Sequence, residues 1–114
     1  MRLKKMSEVV LLVKLYSKAK NGFKGTVKDY AKLIGGVNWT MTHYNFIKKM
    51  VDEGVLKFVG SEMIFGKSYP TYILNKEEAK RMLREFFDYL KNIDEEMLVD
   101  VMIETLPDDY MVVG

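Results

Sequence analysis

The chain of 114 residues has no cysteine and no glutamine, one histidine, one tryptophan, two prolines and only three arginines. The missing cysteine removes disulfide frameworks, zinc-thiolate sites and thiol nucleophiles together. An enzyme of the remaining kinds needs a nucleophile with its base, paired carboxylates in a cleft, or a set of metal ligands. His43 is the only imidazole available, and a lone histidine on an apolar helix face is more often a hydrogen-bonded core residue than a ligand or base. Gly35-Gly36 lacks the spacing and the lysine of a phosphate loop. No apolar run approaches the ~20 residues of a membrane span. The start Met1-Arg2-Leu3-Lys4-Lys5, followed by the apolar run from Val9 to Val13, resembles a secretion signal only until Lys14 interrupts it, with no small-residue cleavage site after it. The expectation is a cytoplasmic protein that is not an enzyme, has no cofactor or metal and does not enter a membrane.

A chain of 114 residues with 48% hydrophobic residues is long enough for one compact core and too short for two ordinary domains. The net charge of +2 hides a division. Residues 1–76 hold fourteen Lys or Arg against five Asp or Glu, and residues 77–114 hold four against eleven, giving +9 and −7. A polyanion-binding surface joined to a segment that phosphate would repel has this distribution, although solvated lysines distributed by chance would also produce it.

The stretch from Leu33 to Leu56 is the most informative. The Gly35-Gly36 pair stops one helix, Asn38 offers a cap to a second helix over about residues 39–53, and Gly54 ends it. At about 100° per residue, His43, Ile47, Met50 and Gly54 share a buried side flanked by Trp39, Thr40, Phe46 and Val51. The opposite side carries Met41, Thr42, Asn45, Lys48, Lys49 and Asp52, with Tyr44 on the shoulder. Hydroxyl and amide groups followed by ammonium groups suit a major groove floored by base edges and walled by phosphates.

Around this stretch, Ser7 and the run Val9–Tyr16 predict a first helix with Val9, Leu12, Val13 and Tyr16 on one face and Leu15 beside them. Gly22-Phe23-Lys24-Gly25 suits a short edge strand pairing with a later hairpin. Thr26 and Asp29 form a capping box for a helix whose apolar face is Val27, Tyr30, Ala31 and Ile34. Val55–Val59 and Tyr69–Leu74 predict a β-hairpin with a loop of about eight residues, and Pro70 belongs where no ladder donor is needed. Met63, Ile64 and Phe65 put apolar residues near its tip, to fold back onto the domain, wedge into a groove or meet a partner. Asn75 and Glu78 read as another capping box. Ala79, Leu83, Phe86, Leu90, Ile93 and Met97 then recur as a heptad seam, widened by Met82, Phe87 and Tyr89. Whether residues 76–106 form one helix or two stays open.

The order helix, short strand, helix, turn, helix, hairpin, long helix resembles the winged helix-turn-helix fold of MarR-like and PadR-like regulators over about residues 7–90. The most specific pieces are Ile47-Lys48-Lys49-Met50-Val51-Asp52-Glu53-Gly54-Val55-Leu56 and Tyr72-Ile73-Leu74-Asn75-Lys76-Glu77-Glu78-Ala79. The resemblance implies an α+β, mostly α fold: a winged helix-turn-helix domain in residues 1–75, a helical dimerisation segment in 76–106 and a tail in 107–114. It also implies sequence-specific binding of double-stranded DNA as a homodimer. Met41, Thr42, Tyr44 and Asn45 match the base-reading positions, and Ser61 to Lys67 the phosphate-gripping wing. Lys24, Lys28, Lys48, Lys49 and Lys67 complete the candidate DNA surface, and Leu83, Phe86, Leu90, Ile93 and Met97 the candidate dimer interface. The wing departs from the family in carrying Glu62 and three apolar residues before its only lysine. No small-molecule effector pocket can be read from the chain. A protein-interaction module of transcription or replication machinery, and a sequence-tolerant chromatin-type DNA binder, are the alternatives.

Overall fold

A computed structural model of the protein describes residues 2–92. The order of elements is α1 (Met6–Ala19), β1 (Lys24–Gly25), α2 (Val27–Gly35), α3 (Met41–Asp52), β2 (Leu56–Ile64), β3 (Lys67–Leu74) and α4 (Lys76–Lys91), with a 3-10 turn at Gly36–Asn38. The fold is α+β and mostly helical, with one antiparallel sheet of order β1-β3-β2. Among the described residues no helix is long and apolar enough to cross a membrane.

Helix α1 starts one residue before Ser7, after Lys5, with no side-chain cap. The Glu8 carboxylate accepts from the Lys4 N–H at 2.9 Å instead. Its inward residues are Val9, Leu12, Leu15 and Ala19, whereas Val13, expected inside, is 47% exposed. The inward stripe turns through Leu15 because α2, α4 and the sheet all lie against that side. The chain before α1 is also part of the fold. Leu3 is buried in the core, and the Arg2 guanidinium donates to Glu78 and, at 2.8 and 3.1 Å, to Glu85.

The capping box of α2 is present in full. Thr26 N–H donates to the Asp29 carboxylate at 2.9 Å, and Asp29 N–H donates to the Thr26 hydroxyl at 3.2 Å. Tyr30, Ala31 and Ile34 are buried, and the small Ala31 lets α2 lie close against α3. The Tyr30 hydroxyl lies 3.0 Å from both the Phe23 and the Tyr72 carbonyl oxygens, so one donor joins α2 to the residue before β1 and to β3. Burial pushes this phenol up to about 12, which keeps the donor in place well into alkaline solution.

The β1 strand pairs antiparallel with β3, Lys24 opposite Ile73 and Gly25 opposite Tyr72, as expected of a short edge strand. The hairpin differs from the expectation. Its strands run on to Ile64 and from Lys67, leaving a two-residue connection, Phe65-Gly66, in place of a loop of about eight. Both connecting residues have positive φ, 48° and 79°, the requirement of a tight turn whose twist matches the strands. Only Gly66 meets that requirement without steric cost. Pro70 sits opposite Ser61 where β3 is paired on one edge only, since β1 reaches no further than Tyr72.

Asn75 caps α4 by accepting from the Glu78 N–H at 3.3 Å, but the expected return bond from the Glu78 carboxylate is missing, because that carboxylate is taken by Arg2 and Arg81. Ala79, Met82 and Phe86 enter the same core as α1, α2 and α3, so the core crosses the expected domain boundary after residue 75. Phe86, placed by the sequence pattern at a dimer interface, is 1% exposed within the single chain and has no area left for a partner. Leu83 and Leu90 are half-buried against the core. Ile93 and Met97, like the rest of the 93–106 segment and the tail, lie outside the described residues.

Two ion pairs couple stability to pH. Glu78 is held below the ordinary carboxylate value of 4.5 by its hydrogen bond from Arg2. Burial raises Glu8, and the hydrogen bonds from Lys49 and the Lys4 N–H more than offset it, leaving this carboxyl lowered as well. Carboxyls lowered by folding make the unfolded chain the better proton binder. Their contribution is therefore complete above about pH 4.5 and is lost as pH falls through the depressed folded values. The expected result is a melting temperature that declines below that pH, with a shallower decline in the Glu8→Gln, Glu78→Gln double variant. Equal slopes would show that other groups drive acid unfolding.

Candidate nucleic-acid interface

Helix α3 is positioned by a close approach and a cap. A Cβ at Gly35 would lie 2.7 Å from Trp39 Cβ and 3.0 Å from the His43 ring, so only glycine lets α2 end against the start of α3. Gly36 then turns the chain with φ of 64°. The cap falls two residues later than expected: Gly36–Asn38 form the 3-10 turn, and Thr40 rather than Asn38 caps α3. The Thr40 hydroxyl accepts from Thr42 N–H at 3.3 Å, and Thr40 N–H donates to His43 Nδ1 at 2.9 Å. Glycine at position 54, with φ of 79°, ends the helix.

His43 is therefore a half-buried capping residue and not a core residue. Accepting at Nδ1 leaves the proton of the neutral ring on Nε2, and the imidazole serves as a local cap. His43→Ala is expected to cost about 0.5–2 kcal/mol of stability, the usual range for a lost N-terminal cap. Urea unfolding measures it, and an unchanged midpoint would mean that the Thr40 hydroxyl is sufficient alone. Among the described residues no group of three metal-ligating side chains is present.

Phe46, Ile47 and Met50 form the buried side of α3, as the periodicity requires. Met41, Thr42, Asn45, Lys48 and Asp52 are exposed and share the opposite side. Tyr44 is half-buried on the shoulder, packed against the core with its edge at the margin of this face, and one expected member behaves differently. Lys49 turns back to α1, where its ammonium group lies 2.6 Å from the Glu8 carboxylate, so its charge is already matched within the fold. Sequence periodicity put Lys49 outside because it counts angles and cannot see Glu8, 41 positions away.

Of the remaining lysines, Lys28 stands over the Trp39 ring at 5.8 Å from its centroid, which holds a cation beside the start of α3. Val37, in the turn leading into α3, is 99% exposed and adds an apolar projection that the sequence reading did not single out. Lys24 lies in β1 and Lys67 at the far end of the hairpin, both exposed. Between them the hairpin exposes Phe58, Met63 and Phe65, the first two at 65% and 67% and the last fully. The apolar tip does not fold back onto the domain.

The face of α3 thus combines a thioether, a hydroxyl, a carboxamide and an ammonium group in successive turns, with Lys28 beside its start. Such a face can make hydrogen bonds to base edges and a charge contact to phosphate, and among the described residues nothing covers it. No family model, curated protein or solved structure matches this chain.

Proposed function

We propose that the chain is a winged helix-turn-helix DNA-binding protein of the MarR-like and PadR-like kind, a transcriptional regulator that lays α3 in the major groove of double-stranded DNA as a cytoplasmic homodimer. The observation that carries this reading is the exposed face of Met41, Thr42, Asn45 and Lys48 on a helix whose other side is fixed in the core. An α-helix fits the width of the major groove, and the Asn45 carboxamide can bond an adenine edge at two points while Lys48 meets a phosphate. The order of helices and hairpin supports the assignment, as does the positive charge of residues 1–76. Selection of binding sites from random duplex DNA tests it. The expected product is an enriched motif of two half-sites about 10 base pairs apart or a multiple of that. Recovery of no motif, with binding that still falls steeply with salt, would make the chain a sequence-tolerant binder instead.

A second reading is supported by the hairpin. Phe58 and Met63 expose apolar area along one side of it and Phe65 at its tip, and exposed apolar clusters mark protein contacts more often than nucleic-acid contacts. In that reading the chain is a protein-interaction module. A chain that shifts no DNA at low salt, and whose partner binding is lost with Met63→Glu and Phe65→Glu, would establish it.

A further inference from the structure

The hairpin sorts its charges onto one side, and only the strand register reveals this. Residues directly opposite in a sheet share a face, and alternate residues along a strand do the same. Lys57 is opposite Ile73, which is also opposite Lys24, so the two lysines flank one isoleucine across three strands. Beyond the irregularity between Phe58 and Gly60, the same face carries Gly60 opposite the buried Thr71, then Glu62 opposite Tyr69 and Ile64 opposite Lys67. The other face carries Phe58, Ser61, Met63, Ser68 and Pro70, with no charge. At the base of the charged face, Ile73 also lines an open cleft with Lys20, Asn21 and Lys76. All five lysines, at 20, 24, 57, 67 and 76, are exposed, and among the described residues none of them is in an ion pair. Glu62 is the one carboxylate on the hairpin part of this face.

From this arrangement we infer that the outer face of the sheet, from the cleft at Lys20 and Lys76 to Lys67 at the hairpin tip, is a second nucleic-acid site that holds a phosphodiester backbone. Lys24 and Lys57 are about 10 Å apart across two strand spacings, and Lys67 lies about 20 Å further along β3. That length equals about six base-pair steps of duplex measured along the helix axis, at about 3.4 Å for each phosphate of a strand. Unpaired ammonium groups in a row repel one another, and a polyanion relieves that repulsion while releasing its own counterions. The track begins where α1 ends, whereas Lys49 of α3 meets Glu8 in the first turn of α1, about 18 Å away at 1.5 Å per helical residue. The site reads charge more than sequence, since its five lysines meet phosphate as point charges. It rests on the DNA-binding reading and joins Lys20, Lys57 and Lys76 to Lys24 and Lys67 in one surface that includes no residue of α3.

The test uses the full chain, labelled duplex and single-stranded oligonucleotides of equal length, and vesicles of anionic lipid, over a series of salt concentrations. The variant Lys24→Ala, Lys57→Ala, Lys67→Ala is expected to weaken oligonucleotide binding at least about tenfold near 0.1 M salt. Its log-log salt slope should be smaller by about 2.7, or 0.9 for each lost phosphate contact. Glu62→Lys, which needs no buried group, is expected to tighten binding about two- to tenfold. Comparison of duplex with single strand shows which form of backbone the track prefers. The α3 variant Asn45→Ala, Lys48→Ala is the control: it should lose preference for a selected site and keep the sheet-dependent part of the slope. A triple variant with the slope and affinity of the parent chain, together with a neutral Glu62→Lys, overturns the inference and leaves the α3 reading standing. Loss of sequence preference from the parent chain, with the sheet effects intact, does the reverse. Binding to anionic vesicles but to neither oligonucleotide overturns the inference in favour of a lipid surface.

Discussion

Phe86→Ala lowers the free energy of unfolding by about 3–5 kcal/mol, the range for deleting a fully buried aromatic side chain and leaving a cavity behind. Domains of this size are stable by about 5–15 kcal/mol, so the loss is a large share of the total and the melting temperature should fall clearly. The size of the effect follows from position. Phe86 is 1% exposed and packs in the core that α1, α2 and α3 also line, and its ring meets those of Phe87 and Tyr89 at centroid distances of 6.4 Å. Phe87, one residue on, is 47% exposed, and Phe87→Ala should change stability by no more than about 0.5 kcal/mol. Urea unfolding of both variants, with sedimentation to report mass, makes the comparison. A small stability change in Phe86→Ala with a halved mass would return Phe86 to a dimer interface. A seam using Leu83 and Leu90 has only their half-buried edges to offer, so Leu90→Glu tests association more directly than any change at Phe86.

Asn45→Ala is expected to cost about 1–3 kcal/mol on a selected duplex and little on random DNA, the signature of a lost base contact. Lys48→Ala should weaken both duplexes alike and reduce the salt slope by about one, because an ammonium group meets phosphate as a point charge. Lys49→Ala is an internal comparison. Its ammonium group is held by Glu8 at 2.6 Å, so the expected change is in stability, with a DNA effect smaller than that of Lys48→Ala. Affinities of the three variants on specific and random duplexes across a salt series give the answer. If Asn45→Ala and Lys48→Ala both bind like the parent chain, α3 is not the reading helix, and the apolar side of the hairpin becomes the surface to pursue.

Element type and order were legible in the residues because they depend on local chemistry. Thr26 and Asp29 are three apart and cap α2 without help from elsewhere, Gly54 ends α3 through its own positive φ, and the burial of Ile47 and Met50 follows from helical period. The exposed face of Met41, Thr42, Asn45 and Lys48 follows from the same period. What the sequence could not decide are the contacts between distant positions that compete with local ones. The Glu78 carboxylate leaves its own helix start for Arg2, 76 positions away, because a charge-assisted bond to a guanidinium is stronger than a return bond to a backbone N–H. Lys49 is turned inward by Glu8, and Phe86 is drawn into the core by the meeting of α1 with α4. The hairpin gives the clearest case: glycines and polar residues between two β-rich runs suggested a long loop, yet ladder hydrogen bonds carry the strands on to Ile64 and from Lys67. One extra residue between Phe58 and Gly60 then shifts every later side chain of β2 to the other face. Local composition determines which residues can be strand, helix or cap, but register depends on which partner strand closes the ladder. Only the tertiary structure brings Lys24, Lys57 and Lys67 onto one side.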